Sequence, residues 1–263
     1  MTFGIIGSGA FGTALSISLS STNKKLILWT RNQDVVNSVQ EIRENRLRLP
    51  GYILPQNIIV TNDINQMGNC SIILIAVPMQ QLRSLVELHR SSLEGKILVA
   101  CCKGFEVSTG QGPTSILEMA SNKTAVLTGP SFAADLASGF PTALTVASKV
   151  EGLAQFIQSE LGTETLRLYW SDDPIGAEFG GALKNVIAIG CGVTIGAGYG
   201  SSSRAALMTR GYSEIISIAP YFGAKPETLS GLSGLGDLSL TCMSSESRNC
   251  LLYTSPSPRD ETK

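Results

Sequence analysis

Residues 2–20 read TFGIIGSGAFGTALSISLS, and this stretch decides the fold of the first half of the chain. The apolar run TFGII predicts a buried strand, and the segment from Phe11 to Ser20 predicts a helix. Between them, Gly7, Gly9 and Gly12 form the pattern G-x-G-x-x-G at a strand-to-helix turn. At such a turn the backbone can approach a pyrophosphate, which then lies on the positive N-terminus of the helix. The stretch therefore indicates a dinucleotide site, with a glycine turn that serves only helix-to-sheet packing as the alternative.

A second predicted strand, KLILWT at residues 25–30, follows the glycines, and Arg31 comes directly after it. An acidic residue at this place would hold the ribose hydroxyls of NAD, whereas an arginine can pair with the 2'-phosphate of NADP. Arg31 therefore favours NADP(H), with NAD(H) as the second cofactor. The alternative interpretation is a surface arginine that faces only water.

The first 170 residues alternate short apolar strands with segments of helical period, which is typical of a parallel sheet covered by helices. Continuous apolar runs such as SIILIAV at residues 71–77 indicate strands that are buried on both faces. We therefore predict the α/β class, with a Rossmann-type, mostly parallel sheet domain. The predicted strands are 2–6, 25–30, 71–77, 96–101, 124–128, 142–147 and 165–170, and the predicted helices are 11–20, 33–45, 80–92, 113–120 and 150–161.

The pattern changes at Ser171, where Asp172, Asp173 and Pro174 predict the start of a helix. From there to about Gly236 no strand pattern is visible, and GLSGLGDL at residues 231–238 is predicted to be a local glycine-rich turn. We expect a dinucleotide-binding domain at residues 1–170, an all-helical, incomplete substrate domain at 171–250, and a non-native or disordered tail at 251–263.

Composition excludes several classes of function. The chain carries 20 Lys and Arg against 21 Asp and Glu, so it has no general basic surface for nucleic acid. No apolar run approaches the length of a membrane span. The single histidine, His89, lies in a polar segment that we predict at the surface, and one histidine excludes a multi-histidine metal site. No metal is expected, and a lysine or carboxylate becomes the candidate base.

The six cysteines, at positions 70, 101, 102, 191, 242 and 250, show no C-x-x-C spacing. They are typical of free thiols in a reducing compartment, and we expect a cytoplasmic protein.

Lys184 is the candidate for proton transfer, and Lys103 is a candidate for ligand contact, with a solvated surface charge as the alternative for Lys103. Lys184 is the only charged residue from Phe179 to Ser203, and desolvation in such surroundings lowers the pKa of an amine. The alternative is a lysine whose amine reaches water. Lys103 follows the predicted strand KILVACC, so it lies at a carboxyl strand end, where open α/β sheets bind ligands.

Glycine-flanked polar clusters also occur at GPSFAADLA (129–137), at GLGDL (234–238) and at SRN (247–249). An arginine together with Ser and Asn donors would suit a phosphate group. Taken separately, each cluster predicts only a cap or a turn.

Together these segments resemble the NAD(P)-dependent glycerol-3-phosphate dehydrogenases of bacterial type. The resemblance extends through WTR (29–31), KGFE (103–106), GPSFAADLASGFPTA (129–143), GAEFGGALKNVIAIGCGV (176–193), RAALMTRG (204–211) and GLSGLGDLSLTCMSSESRN (231–249). It implies hydride exchange between a nicotinamide and the pair dihydroxyacetone phosphate and sn-glycerol 3-phosphate, for phospholipid biosynthesis in the cytoplasm.

The resemblance also implies roles for individual residues. Lys184 corresponds to the proton donor and acceptor, Lys103 to a lysine that contacts substrate and cofactor, and Asp237 to the carboxylate of the lysine network. The implied cofactor contacts, besides the three glycines, are Ala10, Phe11, Arg31, Lys103, Ala133 and Arg248. The implied substrate contacts are Lys103, Gly129, Ser131, Lys184, Asp237, Ser247, Arg248 and Asn249.

The resemblance ends at Asn249, after which LLYTSPSPRDETK matches nothing in the family, so we expect a truncated or chimeric end. Two alternatives remain at this point: another Rossmann dehydrogenase with a helical domain, of the 3-hydroxyacid or ketopantoate type, and a non-catalytic NADP(H)-binding sensor. The expected partners are a phosphorylated small molecule and a second copy of the chain in a homodimer.

Overall fold

The computed structural model describes residues 1–22, 24–244 and 247. These residues form an eight-stranded sheet with the order β10-β9-β8-β7-β6-β1-β2-β5 and a separate two-stranded ribbon. All neighbours in the large sheet are parallel except β8 and β9. The strands are β1 (Thr2–Ile6), β2 (Lys25–Trp29), β3 (Glu44–Asn45), β4 (Leu49–Ile53), β5 (Ile58–Thr61), β6 (Ile72–Ile75), β7 (Ile97–Ala100), β8 (Thr124–Thr128), β9 (Thr142–Ala147) and β10 (Leu166–Ser171).

Helices cover both faces of the sheet. Successive strand residues point to opposite faces, so each face carries apolar side chains that the helices bury. From β1, Phe3 and Ile5 pack in one apolar cluster, whereas Ile6 packs in the cluster on the other face. The helices over the sheet are α1 (Ala10–Ser20), α2 (Gln33–Ile42), α3 (Leu82–Leu88), α4 (Arg90–Leu93), α5 (Pro113–Leu117), α6 (Ala133–Ser138) and α7 (Leu153–Leu161).

After β10 the described residues are helical. Asp173 caps the first of these helices by accepting a hydrogen bond from the N–H of Gly176 at 2.8 Å, as the predicted helix start requires. The helices are α8 (Pro174–Gly196), α9 (Ser201–Ile218), α10 (Pro226–Leu229) and α11 (Asp237–Met243), and Leu232–Gly236 forms one π-helical turn before α11.

Helix α8 is the core of this part of the molecule. It is the one helix among the described residues with the length and hydropathy of a membrane span, which by itself is weak evidence for one. It packs against α9 and α11, and it buries Glu178 and Lys184. The Glu178 carboxylate accepts a hydrogen bond from the N–H of Thr114 at 2.7 Å and so joins α8 to the start of α5. Burial raises the pKa of Glu178 to about 7.

All seven predicted strands are present, within three residues at each end, but several other predictions were wrong. The helix predicted at 33–45 ends at Ile42, because Arg43 adopts a left-handed backbone and Glu44 and Asn45 turn into the ribbon. The segment 80–92 is divided into α3 and α4 at His89. The segment GLSGLGDL is not a simple turn but the π-helical turn and the start of α11. The predicted tail lies outside the described residues.

The cysteines at 70, 101 and 102 are buried free thiols, those at 191 and 242 are also buried, and Cys250 lies outside the described residues. Burial raises the pKa of the Cys70 thiol to about 11, so this thiol stays protonated at neutral pH.

The glycine turn provides a stability test. A Cβ on Gly12 would lie 2.0 Å from the Gly7 carbonyl oxygen and 3.2 Å from the Ala76 Cβ, so α1 would have to move away from β1. We expect Gly12→Ala to lower the free energy of unfolding by about 1–3 kcal/mol, the usual cost of overpacking. A Cβ on Gly9 meets nothing within 4 Å, so Gly9→Ala is the matched control. Urea unfolding of both variants is the measurement, and equal stability of the two would contradict this packing.

Candidate active site and cofactor cleft

A cleft of about 670 Å³ lies at the carboxyl ends of β1, β2 and β6, where the predicted dinucleotide site should be. Its walls come from the glycine turn, from the end of β2 and from the segment that follows β6. The lining residues include Gly7, Ser8, Gly9, Trp29, Thr30, Arg31, Asn32, Val35, Arg48, Ala76, Val77, Pro78, Gln81, Leu85 and His89. His89 is therefore not a simple surface residue: it is half-buried and packs edge-on against Trp29, with ring centroids 5.6 Å apart.

The glycine turn has the shape that a pyrophosphate needs. Gly7 has φ +111°, and a Cβ there would lie 2.5 Å from the Ala76 carbonyl oxygen. Gly9 is exposed and borders open space. Ala10 and Phe11 are the first residues of α1, so their N–H groups have no acceptor within the helix. A close backbone approach combined with free helical N–H groups fits a dinucleotide diphosphate.

Two arginines line this cleft. Arg31 is exposed after β2, as predicted, and Arg48 lines the same cleft from the loop between β3 and β4. Sequence reasoning missed Arg48, because the ribbon that carries it was predicted to be helix and loop. Two guanidinium groups in one cleft fit the 2'-phosphate of NADP(H) better than the uncharged ribose hydroxyl of NAD(H).

A lysine–carboxylate cluster lies beside the cleft. Asp237 accepts a hydrogen bond from Lys184 Nζ with Oδ1 and from Lys103 Nζ with Oδ2, both at 2.5 Å. Lys184 Nζ also donates to the Thr241 hydroxyl at 2.8 Å. Asp237 is 1% exposed and Lys184 is 7% exposed. The structure thus brings together the three residues predicted to be catalytic.

Two glycines of α8 bring this cluster together. A Cβ on Gly180 would lie 2.6 Å from the Ser233 carbonyl oxygen, so this glycine lets α8 approach the turn before Asp237. A Cβ on Gly181 would lie 3.3 Å from Thr128 Oγ1 and 3.5 Å from Lys103 Cγ. The segment GGALK therefore places Lys184 against both Asp237 and Lys103.

The environment of Lys184 lowers its pKa to about 8, chiefly through desolvation and then through the like charge of Lys103. Asp237 acts in the opposite direction, since a carboxylate favours the ammonium form. An amine with this pKa exchanges protons readily near neutral pH. The lowering of the Lys184 pKa by desolvation is the direction that the sequence predicted.

The loop after β8 lies next to the same cluster. Lys103 Nζ donates to the Gly129 carbonyl oxygen at 3.3 Å, and Gly129 has φ +147°. Ser131 follows in this half-buried loop, and Ala133 begins α6. The Thr128 hydroxyl is buried and has no hydrogen-bond partner among the described residues. This hydroxyl and the Lys103 ammonium are hydrogen-bond donors next to Gly129.

The last predicted site residues are only partly described. Ser247 is buried, and its N–H donates to the Ser244 carbonyl oxygen at 3.3 Å. Arg248 and Asn249 lie outside the described residues. Thr241 is a site residue that sequence reasoning missed. Its position one helical turn after Asp237 in α11 is the signal that could have identified it.

The cleft and the cluster share one edge of the sheet. Lys103 follows β7 and Gly129 follows β8, and both strands run parallel to β6 and β1. β7 lies two strands from β1, so these two strands are about 10 Å apart. A dinucleotide can span this distance with its pyrophosphate on α1 and its other end at the lysines. In the described part of the chain, no group of three or more His, Cys, Asp or Glu side chains could hold a metal ion.

Comparison with known proteins assigns the chain to a family. Residues 2–154 match the family model described as NAD-dependent glycerol-3-phosphate dehydrogenase N-terminus, and residues 173–252 match the corresponding C-terminus. The chain is 52% identical over 251 residues to the glycerol-3-phosphate dehydrogenase [NAD(P)+] of Ruegeria sp. (strain TM1040), covering 95% of this chain and 78% of the relative.

Two solved structures have a similar fold. The glycerol-3-phosphate dehydrogenase of Coxiella burnetii has a TM-score of 0.91 at 31% identity, covering 98% of this chain and 82% of that one. A ketopantoate reductase from Ralstonia eutropha shares the fold alone, with a TM-score of 0.60 and 15% identity over 86% of this chain and 76% of that one. The chain belongs to the NAD-dependent glycerol-3-phosphate dehydrogenase family and is an oxidoreductase that uses NAD(P).

Proposed function

We propose that this chain interconverts dihydroxyacetone phosphate and sn-glycerol 3-phosphate, with Lys184 as the proton donor and acceptor. The observation that carries the proposal is the buried Lys184–Asp237–Lys103 cluster at the edge of the sheet that also carries the cleft. The family and the names of the relatives support the substrate pair. The Lys184 ammonium serves the proton transfer of this reaction, and the cofactor site serves its hydride transfer.

When bound, the nicotinamide cofactor supplies or accepts the hydride. Reduction of a ketone leaves an alkoxide that needs a proton, and the Lys184 ammonium supplies it. In the reverse direction the neutral Lys184 amine accepts the proton of the alcohol. The lowered pKa of Lys184 allows both roles near neutral pH.

The residues around Lys184 hold it in place for this exchange. Asp237 and Thr241 use two directions of the Lys184 ammonium, which leaves one N–H for the substrate oxygen. Lys103 adds a second positive charge where negative charge develops on the substrate oxygen. We assign the substrate contacts to Lys103, Lys184, Asp237, Gly129 and Ser131, and the phosphate end to Ser247, Arg248 and Asn249.

The cofactor assignment follows the cleft. Gly7, Gly9, Gly12, Ala10 and Phe11 would hold the diphosphate, and Arg31 with Arg48 would hold the 2'-phosphate of NADP(H). Ala133, Lys103 and Arg248 would contact the cofactor toward the lysines. The substrate part of the molecule would be the helical region after residue 171, next to a dinucleotide-binding region at residues 1–170.

We also propose a cytoplasmic location, a homodimer and a role in phospholipid biosynthesis. A cytoplasmic location fits the buried free cysteines. A homodimer and a role in phospholipid biosynthesis follow from the family resemblance alone.

The substrate that causes oxidation of NADPH distinguishes this function from the alternatives. Dihydroxyacetone phosphate should cause oxidation of NADPH, whereas ketopantoate and 3-oxoacids should not. Preference for a carboxylate substrate would favour the other dehydrogenase types, and binding of NADPH without any turnover would favour a sensor.

Lys184 variants test the proton-transfer role. Lys184→Ala should lose about 10²- to 10⁴-fold in the rate of reduction, the usual contribution of a positioned acid. Lys184→Arg should fail as badly, because a guanidinium does not release its proton at working pH. NADPH affinity, measured by fluorescence, should stay near that of the wild type for both.

The matched control is Lys225→Ala, since Lys225 pairs with the exposed Asp172 away from the site. Activity retained by Lys184→Arg would make Lys184 an electrostatic or structural residue and would overturn the mechanism.

Arg31→Ala tests the cofactor preference. Loss of one charge-assisted contact to a phosphate should weaken NADPH binding by about 10- to 100-fold. NADH binding should change little, because NADH has no 2'-phosphate. Arg46→Ala is the control, since Arg46 is an exposed arginine that pairs with Glu44. Equal weakening of NADPH and NADH by Arg31→Ala would contradict the assignment.

A further inference from the structure

Asn45 lies buried beneath the glycine turn, with none of its surface exposed. Its Nδ2 donates to the Ser8 carbonyl oxygen at 2.9 Å and to the Thr13 hydroxyl at 2.8 Å. Because a carbonyl oxygen can only accept, these contacts fix the orientation of the amide. Its Oδ1 has no hydrogen-bond partner among the described residues. A buried acceptor without a partner costs free energy, so this arrangement indicates a role beyond stability.

The two contacts of Asn45 determine which way the glycine turn faces. The Ser8 C=O and the Gly9 N–H belong to one planar trans peptide unit and point in opposite directions. Asn45 Nδ2 and, at 3.4 Å, the Thr13 hydroxyl hold the Ser8 carbonyl on the inner side of the turn. The Gly9 N–H is therefore directed outward at the cleft, where Gly9 is exposed.

We propose that Asn45 is a positioning residue for the diphosphate of NADP(H). It holds the peptide unit between Ser8 and Gly9 so that the N–H, and not the carbonyl oxygen, faces the phosphate oxygens. Without Asn45 this unit can rotate, and a carbonyl oxygen that faces the phosphates repels them.

Asn45 also contacts a second segment at the cleft. It lies in β3, and its own carbonyl oxygen accepts a hydrogen bond from the N–H of Arg48 at 3.2 Å. Arg48 lines the cleft beside Arg31. Asn45 thus contacts the diphosphate turn with its side chain and the loop that carries a second arginine with its backbone.

The test measures binding rather than turnover. Asn45→Ala should weaken NADPH about tenfold, the effect of one lost hydrogen bond on a preorganised site. Adenosine 2'-monophosphate lacks the diphosphate, so its affinity should stay within about twofold. Fluorescence titration gives the first affinity and calorimetry gives the second.

Asn57→Ala is the matched control. The Asn57 amide likewise donates to a backbone carbonyl oxygen, but to that of Ser20 at 2.9 Å, which lies at the far end of α1 from the glycine turn. It should lower stability without changing NADPH affinity. Unchanged NADPH binding by Asn45→Ala would overturn the proposal, and so would equal weakening of both ligands, because that result indicates general damage.

A second pair of variants decides the matter if Asn45→Ala does not fold. Thr13→Val removes the hydroxyl that accepts from Asn45 Nδ2 and donates to the Ser8 carbonyl oxygen, so both groups that hold this carbonyl are disturbed and NADPH binding should weaken. Thr13→Ser keeps the hydroxyl and should bind NADPH normally. Equal affinities for these two would overturn the proposal. The inference rests on the cofactor assignment, and failure of the wild-type chain to bind NADPH would overturn that assignment instead.

Discussion

The Asp237 carboxylate accepts hydrogen bonds from two ammonium groups that come from different parts of the chain, and the rest of the site depends on this shared contact. Lys103 follows a strand of the sheet, and Lys184 lies in the long helix α8. With both lysines protonated, the cluster carries one net positive charge, next to a site for negatively charged ligands. Removal of Asp237 would leave two like charges close together with nothing between them.

Burial makes this cluster both costly and useful. Two ammonium groups and a carboxylate lose much of their hydration here, and only short, well-oriented hydrogen bonds offset that cost. The same desolvation lowers the pKa of Lys184, and the neighbouring Lys103 lowers it further. The chain thereby obtains an acid and base near neutral pH without a histidine at this cluster. Gly180 makes the arrangement sterically possible, because a Cβ there would lie 2.6 Å from the Ser233 carbonyl oxygen and would push α8 away from the turn before Asp237. Gly181 leaves only enough room for the Thr128 and Lys103 side chains beside α8.

The sequence predicted the parts that depend on local pattern. The glycine turn, the buried parallel strands and the helix start at Pro174 are all readable from short segments, and the family resemblance identified the three charged residues of the cluster. The ribbon β3–β4 was missed, because RLRLPGYILP contains proline and glycine and lacks the alternation of an ordinary strand.

Long-range contacts explain the other omissions. Arg48 reaches the cleft, and Asn45 reaches the underside of the glycine turn, only because that ribbon folds back against the turn. Contacts of this kind depend on tertiary packing, which no local pattern specifies. Arg248 and Asn249, which were predicted at the phosphate end, lie outside the described residues and stay predictions.

The pH dependence of kcat/KM in both directions tests the central claim most directly. With Lys184 as the proton donor, kcat/KM for reduction of dihydroxyacetone phosphate should fall as the pH rises through the lowered pKa of about 8, because the ammonium is lost. For oxidation of glycerol 3-phosphate, kcat/KM should rise across the same range, because the neutral amine is the base. The account would be contradicted if both profiles were flat through this range, or if both moved in the same direction.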